Sequence, residues 1–93
     1  ETDEFWRIVN AMKDLDALLI EASFPDRMAK LAEVSRHFTP ASLGQELKKL
    51  THNGMDIMAV HLKATYRDEI VAQLNALNIP KLSVMEPGRI YEW

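Results

Sequence analysis

Two short apolar runs, each bounded by polar residues, constrain the fold of this chain most strongly. Residues 17–20, in "ALLIEASF", and residues 55–62, "MDIMAVHL", have the length and continuity of strands that are buried on both faces. Helical patterns precede, separate and follow these two runs. Strands that alternate with helices predict an α/β fold, with helices packed on a sheet.

Apolar spacing and capping residues predict the helices. Phe5, Ile8, Val9 and Met12 recur at helical spacing and indicate a helix at about residues 3–13. Asp26 is a candidate N-cap for a short second helix, with Met28, Leu31 and Ala32 facing inward.

The third and fourth helices have clearer starts. Thr39 is a candidate cap with Pro40 in the first helical position, ahead of the apolar stripe Leu43, Leu47 and Leu50. Thr65 and Asp68 match a capping box for a helix over residues 65–77, with a core stripe of Ile70, Leu74 and Leu77.

The tail predicts two further short strands, at residues 82–85 and 89–92, joined by the turn signal "EPG". We expect this hairpin to add antiparallel edge strands, so that the sheet is mixed. The helices suffice to cover one face of the sheet. We therefore expect another part of a larger fold to cover the other face.

Composition limits the classes of partner. The chain has 93 residues, a formal net charge of −3 and no cysteine. This is one small domain without disulfides or thiolate metal sites. Without a basic run or a long apolar run, neither nucleic acid nor a membrane is an expected partner. We expect a cytoplasmic protein, with the periplasm as the alternative and the oligomeric state open, a homo-oligomer included.

Strand ends carry the first candidate site residues. His61 lies near the C-terminal end of the second predicted strand, where α/β proteins place their sites, and an imidazole there either binds a metal or forms a structural hydrogen bond. Glu21 ends the first strand, where its carboxylate either caps backbone N–H groups or orients a histidine.

The remaining candidates flank helices. His37 precedes the third helix, where it either contacts a phosphate or lies on the surface. Lys63 and Arg67 near the start of the fourth helix could bind a phosphodiester or be solvated surface charges. His52, at a helix C-terminus, is interpreted as structural.

The segments "LLIEASFP", "HFTPASL" and "VHLK", in this order and at these separations, resemble the C-terminal part of metallo-β-lactamase-fold hydrolases. The resemblance covers almost the whole chain. It is closest to class II 3′,5′-cyclic-nucleotide phosphodiesterases and more distant to ribonuclease Z. It implies an αββα sandwich of which residues 1–93 are a single partial domain, and a small phosphodiester substrate.

The resemblance also implies roles for the candidates. His61 matches a metal-ligating histidine, His37 a proton donor at the scissile phosphate, and Glu21 the carboxylate that pairs with it. Two divalent metals, Zn²⁺ being expected, would complete the site. The H-x-H-x-D-H motif of the family is absent here, so this chain would depend on the N-terminal part of the fold. The alternatives are a nuclease of the same superfamily and a noncatalytic α/β interaction module.

Overall fold

The computed structural model of this chain describes residues 2–12, 14–51, 55–86 and 88–92. Short 3₁₀ turns, Asp26–Met28 and Ala64–Tyr66, precede two of the helices. The helices are α1 (Thr2–Ala11), α2 (Ala29–Val34), α3 (Pro40–Leu47) and α4 (Arg67–Ala76), and the strands are β1 (Ala17–Glu21), β2 (Asp56–Val60) and β3 (Leu82–Val84). None of the described helices has the length and apolar character needed to cross a bilayer.

The strands form a parallel sheet in the order β1-β2-β3. The α/β class is confirmed, but the predicted mixed sheet with a terminal hairpin is wrong for the described residues. After β2, the chain crosses over through α4 and enters β3 in the same direction, which makes the pairing parallel. No strand forms at residues 88–92, where the Glu86 N–H instead donates to the Tyr91 hydroxyl at 2.9 Å. Pro87 of the expected turn lies outside the described residues.

One face of the sheet packs on the helices. Leu18, Ile20, Ile57 and Ala59 are buried on this face. They cluster with helix residues Trp6, Val9, Leu43, Leu47, Ile70 and Leu74. On the opposite face Leu19 of β1 is 51% exposed, although its neighbour Met58 of β2 is buried. The expectation of a second covering layer stays a prediction.

The predicted apolar stripes are partly wrong. Trp6 and Val9 form the buried side of α1, while Phe5, Ile8 and Met12 are exposed. This assignment follows from where α1 lies: the Trp6 Nε1–H donates to Glu46 Oε1 at 2.8 Å and draws that side of the helix onto α3.

The short second helix also differs from its prediction. Ala32 is buried, but Leu31 is 48% exposed. A helix as short as Ala29–Val34 presents only a narrow strip to the core, and Ala32 lies in that strip.

Charged contacts fasten α1 to the end of α3. The Lys49 ammonium lies 3.0 Å from Asp3 and 3.2 Å from Glu46. Hydrogen bonds with Asp3 and then with Glu46 raise the pKa of Lys49 above its usual value. The Asn10 side chain continues the contact, donating to the Lys49 carbonyl and accepting from the Thr51 N–H.

Capping follows the prediction at α3 and departs from it elsewhere. Thr39 and Ser42 form a reciprocal capping box, with Pro40 in the first helical position. Asp26 does not cap α2; its carboxylate accepts from the Ala41 N–H at 2.8 Å and so joins the start of α3. The predicted Thr65 box is wrong, because the 3₁₀ turn moves the start of α4 to Arg67.

Candidate functional site

The carboxyl ends of β1 and β2 meet at one edge of the sheet. Glu21 is in register with Val60, so His61 follows directly on the neighbouring strand. This edge is where sites form in parallel α/β sheets. The predicted location of both residues is therefore confirmed at the level of the backbone.

The Glu21 carboxylate organises the loop that follows β1. Its Oε1 accepts from the Phe38 N–H at 2.7 Å. Its Oε2 accepts from the Ser23 N–H at 3.0 Å and from the Ser23 hydroxyl at 2.8 Å. Glu21 therefore acts as an acceptor for backbone N–H groups, one of the two roles expected from its position.

The same carboxylate also faces His37. The Nδ1 atom of His37 lies 3.6 Å from Glu21 Oε2, an ion-pair separation when the imidazole is protonated. The structure thus brings together two residues that are well separated in sequence, and the second expected role of Glu21, orienting a histidine, stays a prediction.

His37 is positioned by the end of α2. The His37 N–H donates to the Ala32 carbonyl at 2.8 Å, and the Arg36 N–H donates to the Glu33 carbonyl at 3.1 Å. The φ of Arg36 is 62°, in the left-handed region of backbone conformation. Together these features form a Schellman motif, a common way for an α-helix to end. The backbone hydrogen bonds of the Schellman motif, rather than contacts of the imidazole, therefore place His37 beside Glu21.

His37 borders open space on its other side. Its side chain is 42% exposed and lines a cavity of about 940 Å³ between α2 and α3. Lys30 and Arg36 line the same cavity, and the Phe24 ring contacts the imidazole edge to face at 5.9 Å. Glu21 and Phe24 thus contact the imidazole of His37, while the cavity leaves another side of the ring open to a ligand.

The first turn of α3 is already occupied. The Ala41 N–H is bound by Asp26, and the Ser42 N–H is bound by the Thr39 hydroxyl at 3.2 Å. A phosphate beside His37 would therefore be held by side chains rather than by the amides of this helix terminus.

His61 is held through its backbone. Its φ is 60°, a left-handed conformation that is uncommon outside glycine, and its carbonyl accepts from the Ser23 hydroxyl at 3.1 Å. The imidazole is exposed and forms no hydrogen bond with the residues that the structure describes. The role of this side chain stays a prediction.

Ser23 is the residue that sequence reasoning missed. It is 3% exposed, and its hydroxyl lies between the Glu21 carboxylate and the His61 carbonyl. Its own carbonyl accepts from the Lys63 N–H at 3.2 Å. Ser23 therefore joins the loops after β1 and β2. The available signal was local: a serine two residues after a strand-end carboxylate is well placed to bond it.

The two cationic residues predicted to bind substrate, Lys63 and Arg67, lie in different parts of the structure. The Lys63 ammonium lies 5.5 Å from the centroid of the Phe24 ring, and this ring in turn contacts His37, so Lys63 lies close to the Glu21–His37 pair. Arg67 is half-buried and lines a different cavity, between α4 and β3. Its predicted role in substrate binding stays a prediction. His52 lies outside the described residues.

Within the described ranges, no three histidine or carboxylate side chains cluster to hold a metal ion. No family model, curated protein or solved structure matched this chain.

Proposed function

We propose that this chain is the C-terminal segment of a metal-dependent phosphodiesterase that hydrolyses 3′,5′-cyclic nucleotides of the cAMP type. The observation that supports this most directly is the contact between His37 Nδ1 and Glu21 Oε2 at the carboxyl edge of the sheet. The resemblance carried by the sequence supplies the reaction class, and the contact supplies the acid–base pair that such a reaction needs.

The pair has the chemistry of a proton donor. A carboxylate facing Nδ1 fixes the orientation of an imidazole and leaves Nε2 for the substrate. Glu21 is itself held by the Phe38 N–H and by Ser23, so it cannot turn away without losing these bonds. In the proposed reaction His37 protonates the sugar oxygen that leaves phosphorus, while Lys63 neutralises charge on the phosphoryl oxygens.

His61 is the proposed metal ligand of this chain. Its imidazole is exposed and has no partner among the described residues, which fits a ligand, but one imidazole is too few for a metal ion. The proposal therefore requires further ligands from an N-terminal part of the fold. Two bound divalent metals, Zn²⁺ being expected, would supply Lewis acidity and a nucleophilic water there.

A double-mutant cycle in the longer protein tests the pair. We expect Glu21→Ala and His37→Ala each to lower kcat for cAMP by roughly 10²- to 10⁴-fold, the range of general acid–base groups. We expect the double variant to be little worse than the worse single variant, because the residues act as a unit. Glu33→Ala, in the wall of the same cavity, is the matched control and should leave kcat unchanged.

The outcome separates the alternatives. Fully additive effects would show that Glu21 and His37 do not work together. Turnover of a tRNA precursor with none of cAMP would favour the nuclease of the same superfamily.

A noncatalytic interaction module is the second candidate. The exposed apolar side chains of Phe5, Ile8 and Leu19 favour it, because exposed apolar surface commonly marks a contact with another protein layer. Hydrolysis of neither substrate by the longer protein, with no metal bound to it, would support this candidate over the enzyme.

A further inference from the structure

A second cavity lies away from the Glu21–His37 pair, between α4 and the edge strand β3. Its volume is about 470 Å³, which falls in the range of small-ligand sites, roughly 300–1,000 Å³. It is lined by Arg67, Val71, Asn75, Leu82, Ser83, Val84, Glu86, Arg89 and Tyr91. None of these residues belongs to the arrangement of Glu21, Ser23, His37 and His61. Arg67 is the one lining residue that the sequence predicted as a site residue.

Arg67 has no protein partner within the described ranges. Its side chain is half-buried, yet it makes no hydrogen bond or ion pair there. By contrast, Arg27 pairs with Glu69 at 3.0 Å. Arg67 is also the first residue of α4, where the helix dipole disfavours a cation. Both features are explained if the guanidinium faces a ligand anion.

Arg89 brings a second guanidinium to the cavity. It lies 3.8 Å from Glu86, the only carboxylate in the described lining, and 5.2 Å from the centroid of the Tyr91 ring. The lining therefore carries a net positive charge, in a chain whose net charge is −3. The net charge of the cavity lining is therefore opposite in sign to the net charge of the whole chain.

The remaining lining suits an apolar group. Val71, Leu82 and Val84 contribute aliphatic surface, and Tyr91 contributes an aromatic ring. The Ser83 hydroxyl is directed to the Met58 sulfur at 3.0 Å, so the Asn75 amide is the more available neutral polar group. The cavity thus combines two arginines with apolar and aromatic surface.

We propose that this cavity binds a small ligand that carries an oxyanion, a carboxylate or a phosphate, on an apolar or aromatic body. Arg67 binds the oxyanion through the planar fork of its guanidinium. Arg89, in the segment that follows β3, adds a second positive charge. Val71, Leu82 and Tyr91 contact the body of the ligand. This site does not depend on the proposed phosphodiesterase activity, since it shares no residue with the Glu21–His37 pair.

Nuclear magnetic resonance on the ¹⁵N-labelled 93-residue chain tests the site. The chain is titrated with inorganic phosphate and with phenyl phosphate at constant ionic strength, and the Nε–H signals of Arg67 and Arg89 are followed. We expect saturable shifts at both, with no comparable shift at Arg7, which is an exposed helix residue. We expect phenyl phosphate to bind more tightly than inorganic phosphate, because only its ring reaches the apolar lining.

Substitutions distinguish a binding site from general charge attraction. Arg67→Gln should raise the dissociation constant about tenfold or more, the loss expected on removal of a charged hydrogen-bonding group. Arg67→Lys keeps the charge and lacks the fork, so it should also weaken binding. Arg7→Gln removes the same charge from α1 and should leave the constant unchanged. Backbone spectra report whether each variant remains folded.

Three results would overturn the proposal. Shifts that do not saturate, or that are equal at Arg7 and Arg67, would show attraction without a site. An Arg67→Lys variant that is folded and binds like the native chain would show that the guanidinium of Arg67 does not form the proposed bonds to the oxyanion. Equal dissociation constants for the two phosphates would remove the apolar part of the site.

Discussion

The imidazole of His37 lies 3.6 Å from the carboxylate of Glu21, and each residue is also held by other contacts. Glu21 is held by the Phe38 N–H and by Ser23, and His37 by the Schellman motif that ends α2. Hydrogen bonds to the Glu21 carboxylate and backbone hydrogen bonds of the residues around His37 therefore hold the two residues in place, in addition to the contact between them. This separation of structural from chemical roles allows the two to be tested independently.

Glu21 should be much more important for stability than His37. We expect Glu21→Ala to lower the free energy of unfolding by about 2–4 kcal/mol, because partly buried donors of Ser23 and Phe38 lose a charged acceptor. His37→Ala removes only a long, partly exposed contact and should cost less than about 1 kcal/mol. Urea unfolding of both variants measures this, with the exposed Glu33→Ala as control. Equal losses for Glu21 and His37 would contradict the arrangement.

Arg36 should be a position where glycine stabilises the chain. Its φ of 62° costs a non-glycine residue about 1–2 kcal/mol, part of which is offset by the greater freedom of an unfolded glycine. We expect Arg36→Gly to gain up to about 1 kcal/mol. Arg7→Gly, the same substitution inside α1, should lose about 1 kcal/mol. Thermal unfolding compares the two, and a loss at both positions would rule out the helix-ending role of Arg36.

Substitutions of His61 and His37 should have different effects in the complete enzyme proposed above. We expect His61→Ala to reduce both metal content and rate, since His61 is the proposed ligand, and His37→Ala to reduce the rate alone. Elemental analysis of the purified variants measures metal content directly. A His61→Ala protein that retains both metals would remove the assignment of His61 as a ligand.

The 93-residue chain by itself should not form a catalytic metal pair. It offers one proposed ligand, His61, whereas a zinc site normally takes three or four protein ligands. Isothermal titration with Zn²⁺ should show no tight stoichiometric binding. Tight binding of two ions by this chain alone would be incompatible with its being a segment of the proposed enzyme.

Local chemistry determined several features that the sequence could predict. The apolar runs become β1 and β2, and Thr39 and Pro40 begin α3, because burial and helix capping act over a few neighbouring residues. The strand-end positions of Glu21 and His61 result from the same runs. These features are encoded in short stretches of sequence and need no distant partner.

Only the tertiary structure decided how those pieces meet. The parallel direction of β3 depends on how α4 crosses over the sheet, and not on the residues of β3. The buried side of α1 depends on the bond between Trp6 and Glu46 on α3. The contact between Glu21 and His37, and the bridge that Ser23 makes to His61, join loops that are distant in sequence. Spacing along a chain predicts which side chains end an element, but contacts across elements require the packed core that brings those ends together.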